Sequence, residues 1–154
     1  MSTSSSELLG AGKSDSLWPI ECNLIAHNIT AGMWVTKQWQ LVGFNLQPVA
    51  VSPTISLLEL YRDERTDYRF NLSSQQPKLF LVLENIDTDQ EPKIVKLTAS
   101  QNVASRYMDG DYLVLSNDMP LAVQAWMEAF IGRHGELLEQ RRKKRKGAGR
   151  ASGN

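Results

Sequence analysis

The 154-residue chain carries 17 basic and 17 acidic residues, a 42% hydrophobic composition and a single cysteine. That composition excludes a chain of low hydrophobicity and high net charge that stays unfolded, a disulfide scaffold, and a cysteine-based structural zinc module. The formal neutrality hides a segregation. Arg141, Arg142, Lys143, Lys144, Arg145, Lys146 and Arg150 supply seven of the basic residues, which leaves residues 1–140 with 10 basic against 17 acidic side chains and makes the tail strongly positive.

The first residues, MSTSSSELLGAGKSDS, have neither a basic n-region nor an apolar h-region, and no apolar run approaches the ~18 residues of a membrane span, so a cytoplasmic location is expected. Residues 1–17 are rich in Ser and Gly, lack hydrophobic periodicity, and read as a flexible arm. Residues 18–138 read as a single globular domain of a size that supports one core, and residues 139–154 as a basic tail without ordered structure.

From Trp18 onward, short β-branched, aromatic and apolar runs follow one another: WPIECNLIAH, QWQLVGFNLQPV, ISLLELYR, DYRFNL, KLFLVLEN, KIVKLTA and YLVLS. Turn-forming or charged segments separate them, which predicts a meander of about seven strands. Between Ile55 and Tyr61, Leu58 and Leu60 fall opposite Leu57, Glu59 and Tyr61, as one buried face requires. Leu79 to Leu83 is apolar on both faces and predicts a central strand. The charged run Asp63 to Asp67 reads as a hairpin connection between strands.

Two segments depart from the strand pattern. Ser100 is placed to cap a short helix running to Met108, with Asp109-Gly110 turning the chain into YLVLS. A longer helix is expected from Asp118 to Pro120 onward, with Val123, Trp126, Phe130 and Leu137 on its packed face and Gly132 and Gly135 weakening its end. The expected fold is therefore α+β: mainly antiparallel strands in a curled sheet or partly open barrel, a short helix and a C-terminal amphipathic helix. It is similar in layout to the pleckstrin-homology type of barrel, a likeness that carries no implication of phosphoinositide binding.

No catalytic set emerges from the residues. Gly10-Ala11-Gly12-Lys13-Ser14 looks like the end of a phosphate-binding loop, but Glu7 stands where that motif needs Gly and no buried strand precedes it. Asp63, Glu64 and Asp67 are close enough in sequence to suggest an acid/base or metal group, yet they alternate with Arg62, Arg65 and Arg69 and read as a self-neutralised surface. Cys22, His27 and His134 lack any nucleophile or ligand signature around them. No catalytic residue, cofactor or metal ligand is assigned. If Tyr61, Tyr68 and Asn71 line a groove beside Glu64, then Glu64, Tyr68 and Asn71 are candidate partner-binding residues. The tail residues Arg141, Arg142, Lys143, Lys144, Arg145 and Lys146 are candidate anion contacts, without the interleaved aromatics that specific nucleic-acid recognition uses.

The stretch LELYRDERTDYRFNLSSQQPKLFLVLEN, followed by IVKLTASQNVASRYMDGDYLVLSNDMPLAVQAWMEAFIGRHGE, resembles an uncharacterised family of small, mainly proteobacterial proteins. Its landmarks here are an aromatic strand with Trp, the segment Leu58 to Leu72 with Glu64, Tyr68 and Asn71, a Pro77-led apolar strand, and Met119-Pro120 followed by Trp126. Members are commonly encoded near formate dehydrogenase and other molybdoenzyme accessory genes. The resemblance implies an accessory role in formate dehydrogenase or molybdoenzyme assembly; with no catalytic set among the residues, the expectation is a non-enzymatic protein that recognises a molybdoenzyme or a maturation factor, with an exposed sheet edge or aromatic groove as the means. A small-molecule or nucleotide-handling enzyme of molybdenum-cofactor supply, and an anionic-surface binder acting through the tail, are the alternatives.

Overall fold

A computed structural model describes residues 12–84, 92–108 and 110–135. Strands β1 (Leu17–Ala31), β2 (Trp34–Asn45) and β3 (Ile55–Glu59) form one antiparallel sheet in the order β2-β1-β3. Strands β4 (Lys78–Glu84), β5 (Ile94–Thr98) and β6 (Tyr112–Asp118) form a second, in the order β5-β4-β6. Helices α1 (Arg65–Leu72), α2 (Gln101–Ser105) and α3 (Leu121–His134) complete the described elements, with a single 3-10 turn at Arg62–Glu64 leading into α1. Among the described residues no helix is long and apolar enough to cross a membrane.

The mixed α+β class and the antiparallel pairing agree with the sequence expectation. The expected barrel does not form: β3 lies beside β5 and β2 beside β6, but neither pair is joined in a ladder, and the chain makes two three-stranded sheets. Six strands are described, because DYRFNL is helical. The expected hairpin connection at Asp63 to Asp67 is likewise a 3-10 turn running into a helix.

The reason lies in what the side chains reach. Arg65, Tyr68 and Asn71, spaced by three, are the residues of α1 that point inward, whereas Phe70 is 70% exposed. A strand would have alternated them between two faces. Asn71 uses its whole amide: Oδ1 accepts from the Lys78 N–H at 3.0 Å, and Nδ2 donates to the carbonyls of Lys78 at 2.7 Å and Ala99 at 2.9 Å. Tertiary bonds of this kind outweigh the local β preference of Tyr and Phe.

Other expectations hold. Leu58 and Leu60 are buried and Glu59 is exposed; β4 is the central strand of its sheet, with Leu79, Leu81, Val82 and Leu83 fully buried. The Ser100 hydroxyl accepts from the Val103 N–H at 3.1 Å and caps α2, and three successive main-chain bonds of turn type, from Arg106, Tyr107 and Met108, carry the chain to Met108. Val123, Trp126 and Phe130 of α3 are buried; Leu137 and Asp109 lie outside the described residues. The cap of α3 differs from expectation. Asp118 closes β6 and pairs with Lys78 at 3.1 Å, while Pro120 occupies the N-cap without a side-chain bond and Gln124 returns to the Met119 carbonyl at 3.0 Å.

The core draws on both sheets and on α1 and α3. Trp18 and Trp126 meet edge to face at 5.3 Å, and each buried indole finds a backbone carbonyl: Trp18 donates to Leu46 at 3.0 Å, and Trp126 to Ser14 at 2.8 Å. Both rings thus bury area without stranding their N–H groups. The second contact ties residues of the expected arm to the last helix.

If Asn71 anchors α1 as described, Asn71→Ala removes the partner of one buried and two half-buried main-chain groups and lowers the unfolding free energy by about 2–4 kcal/mol. Phe70→Ala, at the exposed neighbouring position, shifts it by about 0.5 kcal/mol or less. Urea unfolding of both variants checks the contrast, and equal losses would restore a strand-like inward Phe70.

Candidate interaction surface

The sequence-predicted partner residues are engaged inside the fold. Tyr68 is buried; its hydroxyl accepts from the Tyr61 N–H at 2.8 Å and donates to Glu64 Oε1 at 2.8 Å. Burial, with the Glu64 carboxylate adding to it, pushes the Tyr68 phenol far above its ordinary range. Tyr61 is pushed up to about 12, first by burial and then by its bond to Glu59. Glu64 is half-buried beneath this pair. Structure brings Glu64, Tyr61 and Tyr68 together, as the sequence suggested, but as a closed network, and Asn71 turns away toward Lys78 and Ala99.

The charged neighbours are equally occupied. Arg65 is buried and donates to the carbonyls of Arg62 at 2.6 Å, His134, and Gly135 at 2.8 Å, so its cation sits at the C-terminal end of α3 where the helix dipole is negative. Asp67 accepts from Ser100 and Asn102, each at 2.7 Å, and Arg69 makes a two-pronged contact with Glu128 at 2.8 and 3.1 Å. That contact holds the Glu128 carboxyl below its usual value.

The remaining candidates disperse. Lys13 lies over the Trp18 ring at 3.9 Å and the Ser14 hydroxyl accepts from the Leu17 N–H at 3.1 Å, so this end of the loop-like motif forms a turn against the core. Gly10 and Ala11, and the basic run Arg141 to Lys146, lie outside the described residues. His134 packs on Phe130 at 4.6 Å, where burial and then Arg62, Arg133 and Arg65 lower its pKa. Cys22 is fully buried in β1, and burial, reinforced by Glu21, pushes its thiol up to about 12. Among the described residues no group of three or more His, Cys, Asp or Glu is placed to hold a metal ion.

The surface that stands out is one the residue-by-residue reading missed. β3 pairs with β1 only from Leu17 to Glu21, whereas β1 and β2 continue together to Ala31↔Trp34. Every residue from Ile25 to Gln38 is exposed. The hairpin thus projects as an arm of seven cross-strand pairs from Ile25↔Gln40 outward, about 23 Å at the usual strand rise.

Its turn is Gly32-Met33, with Gly32 at φ +64° and Met33 at negative φ, the pattern of a type II′ turn that needs Gly first. At its foot the register shifts between Asn23 and Leu24, leaving Val42 as the extra residue of a bulge. Asn117 Nδ2 donates to the Leu41 carbonyl at 2.8 Å and ties this foot to β6.

The chemistry of the arm is unlike the rest of the surface. Between Asn23 and Asn45, Lys37 is the only Lys, Arg, Asp or Glu. Met33 is 92% exposed, Trp34 74% and Val35 63%, with Ile25 and Ile29 also open to solvent. Partners across the hairpin share a face, so Ile25, His27, Ile29, Ala31 and Trp34 line one side and Ala26, Asn28, Thr30 and Val35 the other. The cue available in sequence was the conjunction of a long low-charge stretch with a Gly-X pair between alternating runs.

The family model described as Protein of unknown function (DUF3305) matches residues 23–145, which include the whole arm, and the chain belongs to that family. No curated protein and no solved structure matches it.

A thiol held near 12 is protonated at any physiological pH and shielded from reagents. Ellman's reagent at pH 8 is therefore expected to leave the folded protein unmodified and to titrate one thiol in guanidinium. Fast native labelling would place Cys22 at an accessible, activated site instead.

Proposed function

We propose that this member of the family is a non-catalytic binding protein whose β1–β2 arm holds a protein partner, and that the partner is formate dehydrogenase, another molybdoenzyme, or one of their maturation factors. The observation that carries the binding reading is the exposure of Met33, Trp34 and Val35 at the end of a nearly uncharged arm. Apolar clusters of this kind on a folded surface mark contact sites, and Trp is the residue type most enriched among those that dominate binding energy. The choice of partner rests on the resemblance of the sequence to a family whose members are commonly encoded near formate dehydrogenase genes.

The arm suits recognition of a segment that is itself apolar or extended. Its faces offer alternating exposed side chains, and its ladder offers main-chain groups, the two elements that β-strand addition combines. The networks around Tyr68, Asp67 and Arg65 hold the body rigid behind it.

Trp34→Glu tests the reading without touching the core. From cells expressing formate dehydrogenase, the unaltered protein is expected to recover a molybdoenzyme or maturation factor above background, and Trp34→Glu to recover at least about tenfold less, the loss of a typical hot spot. The melting temperature should stay within about 2 °C, since Trp34 is an exposed side chain. Recovery that ignores Trp34→Glu would detach binding from the arm. Normal formate dehydrogenase activity and cofactor content after deletion of the gene would remove the accessory role.

A further inference from the structure

The arm has a second property, independent of its apolar end. Beyond Cys22 the outer edge of β1 has no strand beside it among the described residues, because β3 stops at the Glu21↔Ile55 pair. The Cys22 N–H donates to the Thr54 carbonyl at 2.9 Å, so Cys22 directs its main-chain groups toward that edge. By alternation, Leu24, Ala26, Asn28 and Thr30 do the same, while Ile25, His27, Ile29 and Ala31 face β2. The open ladder therefore runs from Asn23 to Ala31, where the turn begins, and is about 30 Å long.

Sheet edges of that length are ordinarily guarded by charges, prolines or a covering element. This one, NLIAHNITA, contains no Lys, Arg, Asp, Glu or Pro. Its two isoleucines are placed symmetrically about its midpoint. His27 is the central residue between Asn23 and Ala31, and Ile25 and Ile29 flank it at equal distances on the same face.

We propose that this edge is a self-association site, at which residues Asn23–Ala31 of two copies pair antiparallel about a two-fold axis at His27 and join two arms into a four-stranded ribbon, β2-β1-β1-β2. In that register Ile25 of each copy stands opposite Ile29 of the other, Leu24 opposite Thr30, and Ala26 opposite Asn28. The main-chain groups of Leu24, Ala26, Asn28 and Thr30 then exchange about eight hydrogen bonds.

The whole open edge is used with no overhang, and the turn of one copy reaches the point where β3 of the other takes over. The same patch on both chains is self-complementary, as a closed two-fold contact demands. No like charges are brought together on the edge. The two acidic bodies sit at opposite ends of the ribbon, about 30 Å apart and beyond the ~8 Å screening length of physiological salt. The His27 ring is bonded to Gln40 Oε1 at 3.1 Å, toward β2 and away from the axis. Pairing consumes the edge and leaves both faces of the arm, Trp34 included, open to another partner.

Sedimentation equilibrium of the full chain is expected to give twice the 17.3 kDa chain mass, and Asn28→Pro, which removes an N–H directed at the open edge, to give 17.3 kDa. Register is read by crosslinking, since the only native thiol, Cys22, is buried. Under copper-phenanthroline, His27→Cys should form a covalent dimer, because a non-hydrogen-bonded pair on the axis brings Cα atoms within about 4.5–5.5 Å. Gln38→Cys, on the same face but on β2, should stay monomeric on a denaturing gel. Trp34→Glu should leave the dimer mass unchanged, which separates this contact from partner capture.

A monomer at every concentration would overturn the proposal and leave the edge to an extended segment of another protein. A dimer that crosslinks through Gln38→Cys and not through His27→Cys would also overturn it.

Discussion

Helix α1 is held by polar side chains that reach partners outside their own element, and the arrangement of the body depends on those bonds. Arg65 reaches the end of α3, Asp67 the cap of α2, Arg69 the middle of α3, and Asn71 the start of β4 and the residue after β5. Eight residues thereby fix the positions of the second sheet and the other two helices. Burying a guanidinium and a carboxamide is costly unless their hydrogen-bonding capacity is met, so the register of α1 admits little play. A shift of one residue would turn Tyr68 and Asn71 outward and leave the main chain at Lys78 and Ala99 unpaired.

The body anchored in this way ends along β1 near Leu24. Trp18, Ile20 and Cys22 of β1 are buried in the core, Trp18 against Trp126 of α3, and Leu24, partly buried against the core, closes that inward row. Beyond Leu24 the same strand leaves the core, and among the described residues only β2 lies beside it. One continuous strand therefore passes from a half packed against the core to a half that is exposed. The bulge at Val42 and the Asn117 bond to Leu41 mark that boundary.

Much of the body was legible in the sequence because it rests on short-range rules. An apolar run on both faces at Leu79 to Leu83 signals a central strand, Ser100 before a short helix signals a cap, and Val123, Trp126 and Phe130 at helical spacing signal a buried face. Helix α1 escaped that logic. Its mixture of Arg, Asp and Glu has the composition of a solvated connection, and the partners that make it a packed element lie from seven to 70 residues away in sequence. Glu64, Tyr68 and Asn71 were singled out in the sequence as partner contacts; in the fold Tyr68 bonds to Glu64, and Asn71 separately bonds to Lys78 and Ala99. The arm was hidden for the opposite reason: two strands were visible, and the absence of a third beside their outer halves among the described residues is a property of topology.

Stability then differs along the chain in a way that bears on recognition. A two-stranded ribbon without a third strand or a packed face is marginal in water, and the outer half of the arm has neither among the described residues. Its ladder bonds are open to solvent on both sides, so local opening costs less there than in the core. Any contact that adds a strand to the edge or covers Ile25, Ile29 and Trp34 supplies what the arm lacks, and a second contact then binds an already ordered ribbon. The edge and the faces are therefore thermodynamically coupled through the order of the arm: whichever is occupied first lowers the ordering cost of the other.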